Sequence, residues 1–105
     1  MNAKPILWAI VSLDKPNTAA LRAELIEAHR AYLTKHDHMI LFTGPLQSDD
    51  GKTNTGSLWI IAADTQQAAK AFSDGEPFTK AGVFASVMIA RTYAGHFHPE
   101  LAATK

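Results

Sequence analysis

Apolar residues fall in short runs divided by polar turns, and their period changes along the chain. Ile6 to Leu13 is apolar and bounded by Pro5 and by Asp14-Lys15-Pro16-Asn17, the pattern of a strand that ends in a turn. Asn17 or Thr18 then offers an N-cap for a helix reaching about Lys35. Leu21, Leu25, His29 and Leu33 recur every fourth position with Ala28 and Tyr32 beside them, which makes one apolar stripe. Arg22, Glu27 and Arg30 fall mostly elsewhere, and Lys35, His36 and His38 sit at the carbonyl end, where cations are favoured. Met39 to Thr43 reads as a second strand stopped by Gly44-Pro45, and Gln47 to Gly56 as the polar, mobile loop of a hairpin. Ser57 to Ala63 is a third strand, and Asp64 or Thr65 caps a second helix through about Phe72. Ser73-Asp74-Gly75-Glu76-Pro77 breaks that helix, Phe78 to Ala81 adds a turn, and Val83 to Tyr93 forms a final strand before a tail over about 94–105.

The order β-α-β-β-α-β predicts an α+β, ferredoxin-like fold, an antiparallel sheet with both helices on one face. The strands, however, are apolar on both faces. Ile6, Trp8 and Ile10 oppose Leu7, Ala9 and Val11 in the first strand. In the last, Val83, Ala85, Val87 and Ile89 oppose Phe84, Met88 and Ala90. A solvated face would alternate polar with apolar, so the second face calls for a second copy of the chain, packed sheet to sheet as a homodimer.

Composition narrows the function. The 105 residues suit one domain, and with 47% hydrophobic and 19% charged residues the chain can bury a core. Ten Lys plus Arg balance ten Asp plus Glu, which speaks against nucleic acid or an anionic membrane surface as partner. The absence of Cys removes thiolate chemistry, disulfides and Cys-based zinc sites. No run reaches the ~20 apolar residues of a membrane span, and the apolar start reads as a strand rather than a signal peptide. A soluble cytoplasmic protein is expected. No phosphate-binding glycine loop, nucleophile elbow or dinucleotide fingerprint occurs, so no cofactor is called for.

Among the five histidines, His29 alone lies on the apolar stripe. It is either a core histidine bonded to a backbone carbonyl or a general acid–base group lining a pocket, a role suited to its pKa range. The second role wants a carboxylate partner, and Asp37, Asp74 and Glu76 are the candidates. Glu76 precedes Pro77, which drives its backbone toward an extended conformation. His36-Asp37-His38 caps a helix, and His96-x-His98 has ligand spacing but no third ligand, so no metal site is expected. Trp8 and Trp59 read as core or interface. Arg91 and Tyr93, on one face near the end of the last strand, are candidates for binding an anionic or aromatic substrate, or are solvated strand-end residues.

Three segments carry a resemblance: Ala28-His29-Arg30-Ala31-Tyr32-Leu33, Gly44-Pro45-Leu46, and Glu76-Pro77-Phe78-Thr79-Lys80-Ala81-Gly82-Val83-Phe84. In this order and spacing the chain resembles the YCII-related family. The resemblance implies a dimeric α+β barrel of ferredoxin-like units and a His–Asp pair as active site, falling here on His29 and Glu76. It also implies a small-molecule ligand, with Gly44, Pro45 and Phe78 near it. Relatives include a dehydrochlorinase of chlorinated hydroquinones, and the wider superfamily includes muconolactone isomerases. The expectation is a cofactor-independent lyase or isomerase acting on a small cyclic or aromatic compound. The alternative is a non-catalytic, ligand-binding or accessory dimeric module. Two positions depart from the pattern: Glu76 stands where the family carries Asp, and His38 where relatives often carry Gly.

Overall fold

The computed structural model describes residues 5–102. The first four residues of the N-terminal segment and the last three of the tail lie outside it. The elements follow as β1 (Leu7–Asp14), α1 (Ala19–Lys35), a 3-10 turn (Asp37–Met39), β2 (Ile40–Gln47), β3 (Asn54–Ala62), α2 (Gln66–Gly75), α3 (Pro77–Lys80), β4 (Phe84–Thr92) and a final 3-10 turn (Pro99–Ala102). The four strands form one antiparallel sheet in the order β2-β3-β1-β4. This is the ferredoxin-like arrangement that the alternation of elements predicts.

Boundaries differ where tertiary context overrides local signals. Gly44-Pro45 does not end β2, which runs on to Gln47 with Pro45 opposite Ser57. Proline is tolerated there because β2 is an edge strand, where a missing N–H breaks no inner ladder. The hairpin loop shrinks to Ser48–Thr53, closed by the Ser48 N–H on the Thr53 carbonyl at 2.9 Å. Helix α2 continues three residues past Phe72, helped by the Lys70–Asp74 pair one turn apart at 2.7 Å. Its N-terminus is as expected: Thr65 Oγ1 accepts the Ala68 N–H at 3.0 Å. At the start of α1, Asn17 takes the left-handed conformation (φ 62°) that Asn tolerates. The Thr18 hydroxyl turns back to the Lys15 carbonyl instead of capping the helix.

The helix-facing side of the sheet buries Trp8, Ile10 and Ser12 of β1 with Ser57, Trp59 and Ile61 of β3. Phe72 and Ala69 of α2 close over the tryptophans, while Phe78, Val83 and Phe84 form a second cluster under Leu21, Leu25 and Ile26 of α1. Strict alternation would put Phe84 on the face of Met88. A bulge prevents this: Leu13 lies opposite Ser86 but Asp14 opposite Phe84, so Ala85 has no partner and Phe84 swings to the helix side. The opposite face carries Leu7, Ala9, Val11 and Leu13 beside Phe42, Leu58, Ile60 and Met88. No element of the described residues covers it, and Met88 is 56% exposed.

Candidate active site

The two halves of the site come from α1 and from the break between α2 and α3. On α1 the inward side holds Arg22, Leu25, Ile26, His29, Tyr32 and Leu33, with His36 as the residue that caps its C-terminus. Ala28, expected on that stripe, is exposed, and Arg22, expected off it, faces the sheet. Glu76 both ends α2 and begins α3, with the extended backbone (φ −72°, ψ 133°) that the following proline requires. Pro77 then occupies the first position of α3, where a missing N–H costs nothing.

This geometry turns the Glu76 side chain inward until it is 1% exposed. Its Oε2 accepts the Phe78 N–H at 3.0 Å, which caps α3, and lies 2.9 Å from His29 Nδ1. A carboxylate can only accept, so opposite ionised Glu76 it is the Nδ1–H of His29 that donates. That places the lone pair on Nε2, the pattern in which a carboxylate orients a general base. Oε1 of Glu76 is buried without a hydrogen-bond partner among the described residues. The imidazole stacks on Phe78 (4.2 Å between centroids, 13° between planes) and meets the edge of Trp59 at 5.8 Å. Its side chain keeps 15% of its surface exposed.

That remaining surface opens on a cleft of about 490 Å³ lined by His29, Arg22, Thr43, Asn54, Ser57 and Phe78, with Gly44 and Pro45 at its β2 wall. This is the range of small-molecule sites. His29, Glu76, Phe78, Gly44 and Pro45 are therefore brought together. Arg91 and Tyr93 are not. Arg91 is exposed on edge strand β4 opposite Trp8. Tyr93 is 83% exposed and borders a separate apolar groove with Leu41, Phe42 and Phe97. The other candidate acids also go elsewhere: Asp74 pairs with Lys70, and Asp37 begins the 3-10 turn.

Arg22, which the apolar stripe leaves out, also lines the cleft. It stands seven residues before His29, two helical turns, which was the available signal for a shared face. Its Nε and Nη2 donate to the two oxygens of Asp14 at 2.7 and 2.9 Å. Beside the site, the Tyr32 hydroxyl donates to the Phe72 carbonyl at 2.8 Å. Gly75 permits this approach, since a Cβ there would come 2.8 Å from that hydroxyl. Burial, then the Glu76 charge, raises the Tyr32 pKa above its ordinary value. His36 is not simply a solvated end group: it packs against Tyr32 and Phe72. Burial first, then the charges of Lys35 and His38, lower its pKa. Among the described residues no three His, Asp or Glu side chains converge to hold a metal ion. None of the helices there is long and apolar enough to cross a membrane.

The YCII-related domain matches residues 6–92. The chain belongs to the YCII-related family. It is 33% identical over 91 residues to Protein YciI of Escherichia coli, covering 80% of this chain and 93% of that protein. A Haemophilus influenzae protein is 32% identical over 89 residues, covering 78% and 91%. Among solved structures, the 5-chloro-2-hydroxyhydroquinone dehydrochlorinase of Burkholderia phenoliruptrix AC1100, in complex with 2,5-dihydroxybenzoquinone, superposes with a TM-score of 0.78 at 33% identity. That match covers 85% of this chain and 95% of the dehydrochlorinase. A Pseudomonas aeruginosa protein shares the fold at 16% identity, with a TM-score of 0.51 over 87% of this chain and 94% of its own.

Proposed function

We propose that this YCII-family protein is a cofactor-independent lyase acting by proton transfer on hydroxylated six-membered rings. The observation that carries the reading is the 2.9 Å contact between His29 Nδ1 and the buried Glu76 carboxylate, at the wall of an open cleft. The likeness to a hydroquinone dehydrochlorinase supports the substrate class. Loss of hydrogen halide from a halogenated hydroquinone balances without an oxidant. A hydroxyl proton moves to the adjacent carbon that bears the halogen, a second hydroxyl gives up its proton, and halide leaves with the carbon–halogen bond pair. The product is a quinone. Each proton move is one that a single imidazole can perform, and Glu76 stabilises the imidazolium formed between them. The Glu for Asp departure motivated a non-catalytic reading; the short His29–Glu76 contact favours the enzymatic one.

A homodimer formed through the open sheet face belongs to the same proposal, because that face is apolar and uncovered among the described residues. The decisive experiment is chloride release from 5-chloro-2-hydroxyhydroquinone by the wild-type protein and by His29→Ala. Turnover in the wild type and a loss of about 10²-fold or more in the variant are expected. Equal turnover by both would overturn the assignment of His29.

A further inference from the structure

The side chains around the His29 cleft are rich in donors and poor in free acceptors. Arg22 and Arg30 can only donate. The Asn54 oxygen accepts from Gln47 Nε2 at 2.9 Å, which leaves its NH₂ to donate. Ser57 Oγ accepts from Arg22 Nη2 at 3.3 Å and keeps its own hydrogen to give. Thr43, on the β2 wall, is the exception. Its hydroxyl donates to the Leu58 carbonyl at 2.9 Å, an oxygen that can only accept. A threonine hydroxyl has one hydrogen and two lone pairs, so Thr43 Oγ1 has lone pairs alone to offer a ligand. The other free side-chain acceptor at the cleft is His29 Nε2, since Nδ1 is committed to Glu76.

Position adds to this. Thr43 stands opposite Trp59 in the β2–β3 register, and the Trp59 ring meets the edge of the His29 imidazole at 5.8 Å. The two acceptors therefore border one cleft from different walls, Thr43 from the sheet and His29 from α1. Thr43 is half-buried, and its branched Cβ together with the bond to Leu58 fixes the direction of its lone pairs. A neutral ring hydroxyl has a hydrogen to give to such a group. A methyl ether has none and sets lone pair against lone pair. We infer that Thr43 is a specificity-determining residue whose Oγ1 accepts from a neutral ring hydroxyl other than the one that meets His29. The site therefore takes rings with at least two protonated hydroxyls and discriminates against their methyl ethers. The inference rests on the function proposed above and states how many hydroxyls its substrate must carry.

Binding tests it without turnover. Amide NMR titrations, run without oxygen at neutral pH, compare catechol, resorcinol and hydroquinone with the monomethyl ether of each. Every ether keeps one hydroxyl for His29 and lacks the second. The proteins are wild type, Thr43→Val and Thr43→Ser. For at least one isomer the wild type is expected to bind the diol about five- to tenfold more tightly than its ether, the worth of one neutral hydrogen bond. Thr43→Val keeps the branched shape without the lone pairs. It should weaken that diol by a similar factor and leave the ether within about twofold. The ether is thus the control for the lost bond to Leu58, a disturbance that would weaken both ligands alike. Thr43→Ser keeps the hydroxyl and should keep the preference. Equal weakening of diol and ether in Thr43→Val, a preference that survives there, or one that Thr43→Ser also loses would overturn the inference alone. So would a wild type that prefers no diol. If wild type binds none of these rings, the proposed substrate class falls with it.

Discussion

Replacing Glu76 by Gln separates what the buried carboxylate does for chemistry from what it does for the fold. The amide keeps the shape and can present its oxygen to both donors that Glu76 Oε2 now serves, the Phe78 N–H at 3.0 Å and the His29 Nδ1–H at 2.9 Å. Its NH₂ then occupies the place of Oε1, which has no partner among the described residues. What disappears is the negative charge. A hydrogen bond to a charged group is worth about 1.5–3 kcal/mol against about 0.5–1.5 for a neutral pair. In the reaction that difference acts on the imidazolium. Losing about 1–1.5 kcal/mol there corresponds to about 5- to 13-fold in kcat. In the folded ground state the change works the other way, because a buried charge with one unpaired oxygen is replaced by a neutral group. Stability should thus stay within about 1 kcal/mol of wild type, or rise. Glu76→Ala is the contrast, leaving the Phe78 amide without its cap and the His29 Nδ1–H unpaired, at a cost of about 3 kcal/mol or more. Urea unfolding and chloride-release kinetics on the three proteins are the measurements. A Gln variant that keeps full turnover, or one as unstable as the Ala variant, would refute the reasoning.

Other expectations follow from the same contacts. Glu76→Asp restores the family residue but withdraws the carboxylate by one carbon–carbon bond, about 1.5 Å. The cap on Phe78 survives, the bond to His29 breaks, and kcat falls about tenfold or more; unchanged kcat with an unchanged His29 tautomer in nitrogen NMR would contradict this. Tyr32→Phe deletes the 2.8 Å bond to the Phe72 carbonyl, at about 1 kcal/mol by urea unfolding. Because the Tyr32 pKa is raised in the folded state, the unfolded chain releases that proton first. Its contribution is fully present below about pH 10 and is lost as pH rises from there through the raised folded-state pKa. The wild type should therefore lose stability above about pH 10 more steeply than Tyr32→Phe, and parallel curves would exclude this source. Met88→Asp places a charge on the open sheet face and should shift sedimentation at micromolar concentration to a monomer with helical content intact; an unchanged oligomer would move the interface elsewhere.

Much of the fold was legible because period and punctuation act locally. The 3.6 period from Leu21 to Leu33, the cap at Thr65 and the pre-proline Glu76 each depend on a few neighbouring residues, and each appears where expected. The exceptions are long-range. Gly44-Pro45 looked like a strand end because edge position is a property of the sheet. Phe84 reads on the face of Met88 because a bulge at Ala85 is invisible to strict alternation. Arg22 reads as a charged residue off the stripe, because the groups that offset its desolvation, Asp14 of β1 and the Gly56 and Ser57 oxygens of β3, are distant in sequence.

The site divides in the same way. That a histidine stands on an inward helix face, and that an acid sits where proline extends the backbone, are facts of the sequence. The tertiary structure chose Glu76 over Asp37 and Asp74 as the partner, by folding the α2–α3 break against α1 across 47 positions of chain. It also placed Arg91 and Tyr93 away from the cleft and brought Arg22 into it. Residue order dictates which side a group leaves its own helix or strand. Which groups then meet depends on how those elements pack, and no spacing along the chain encodes that.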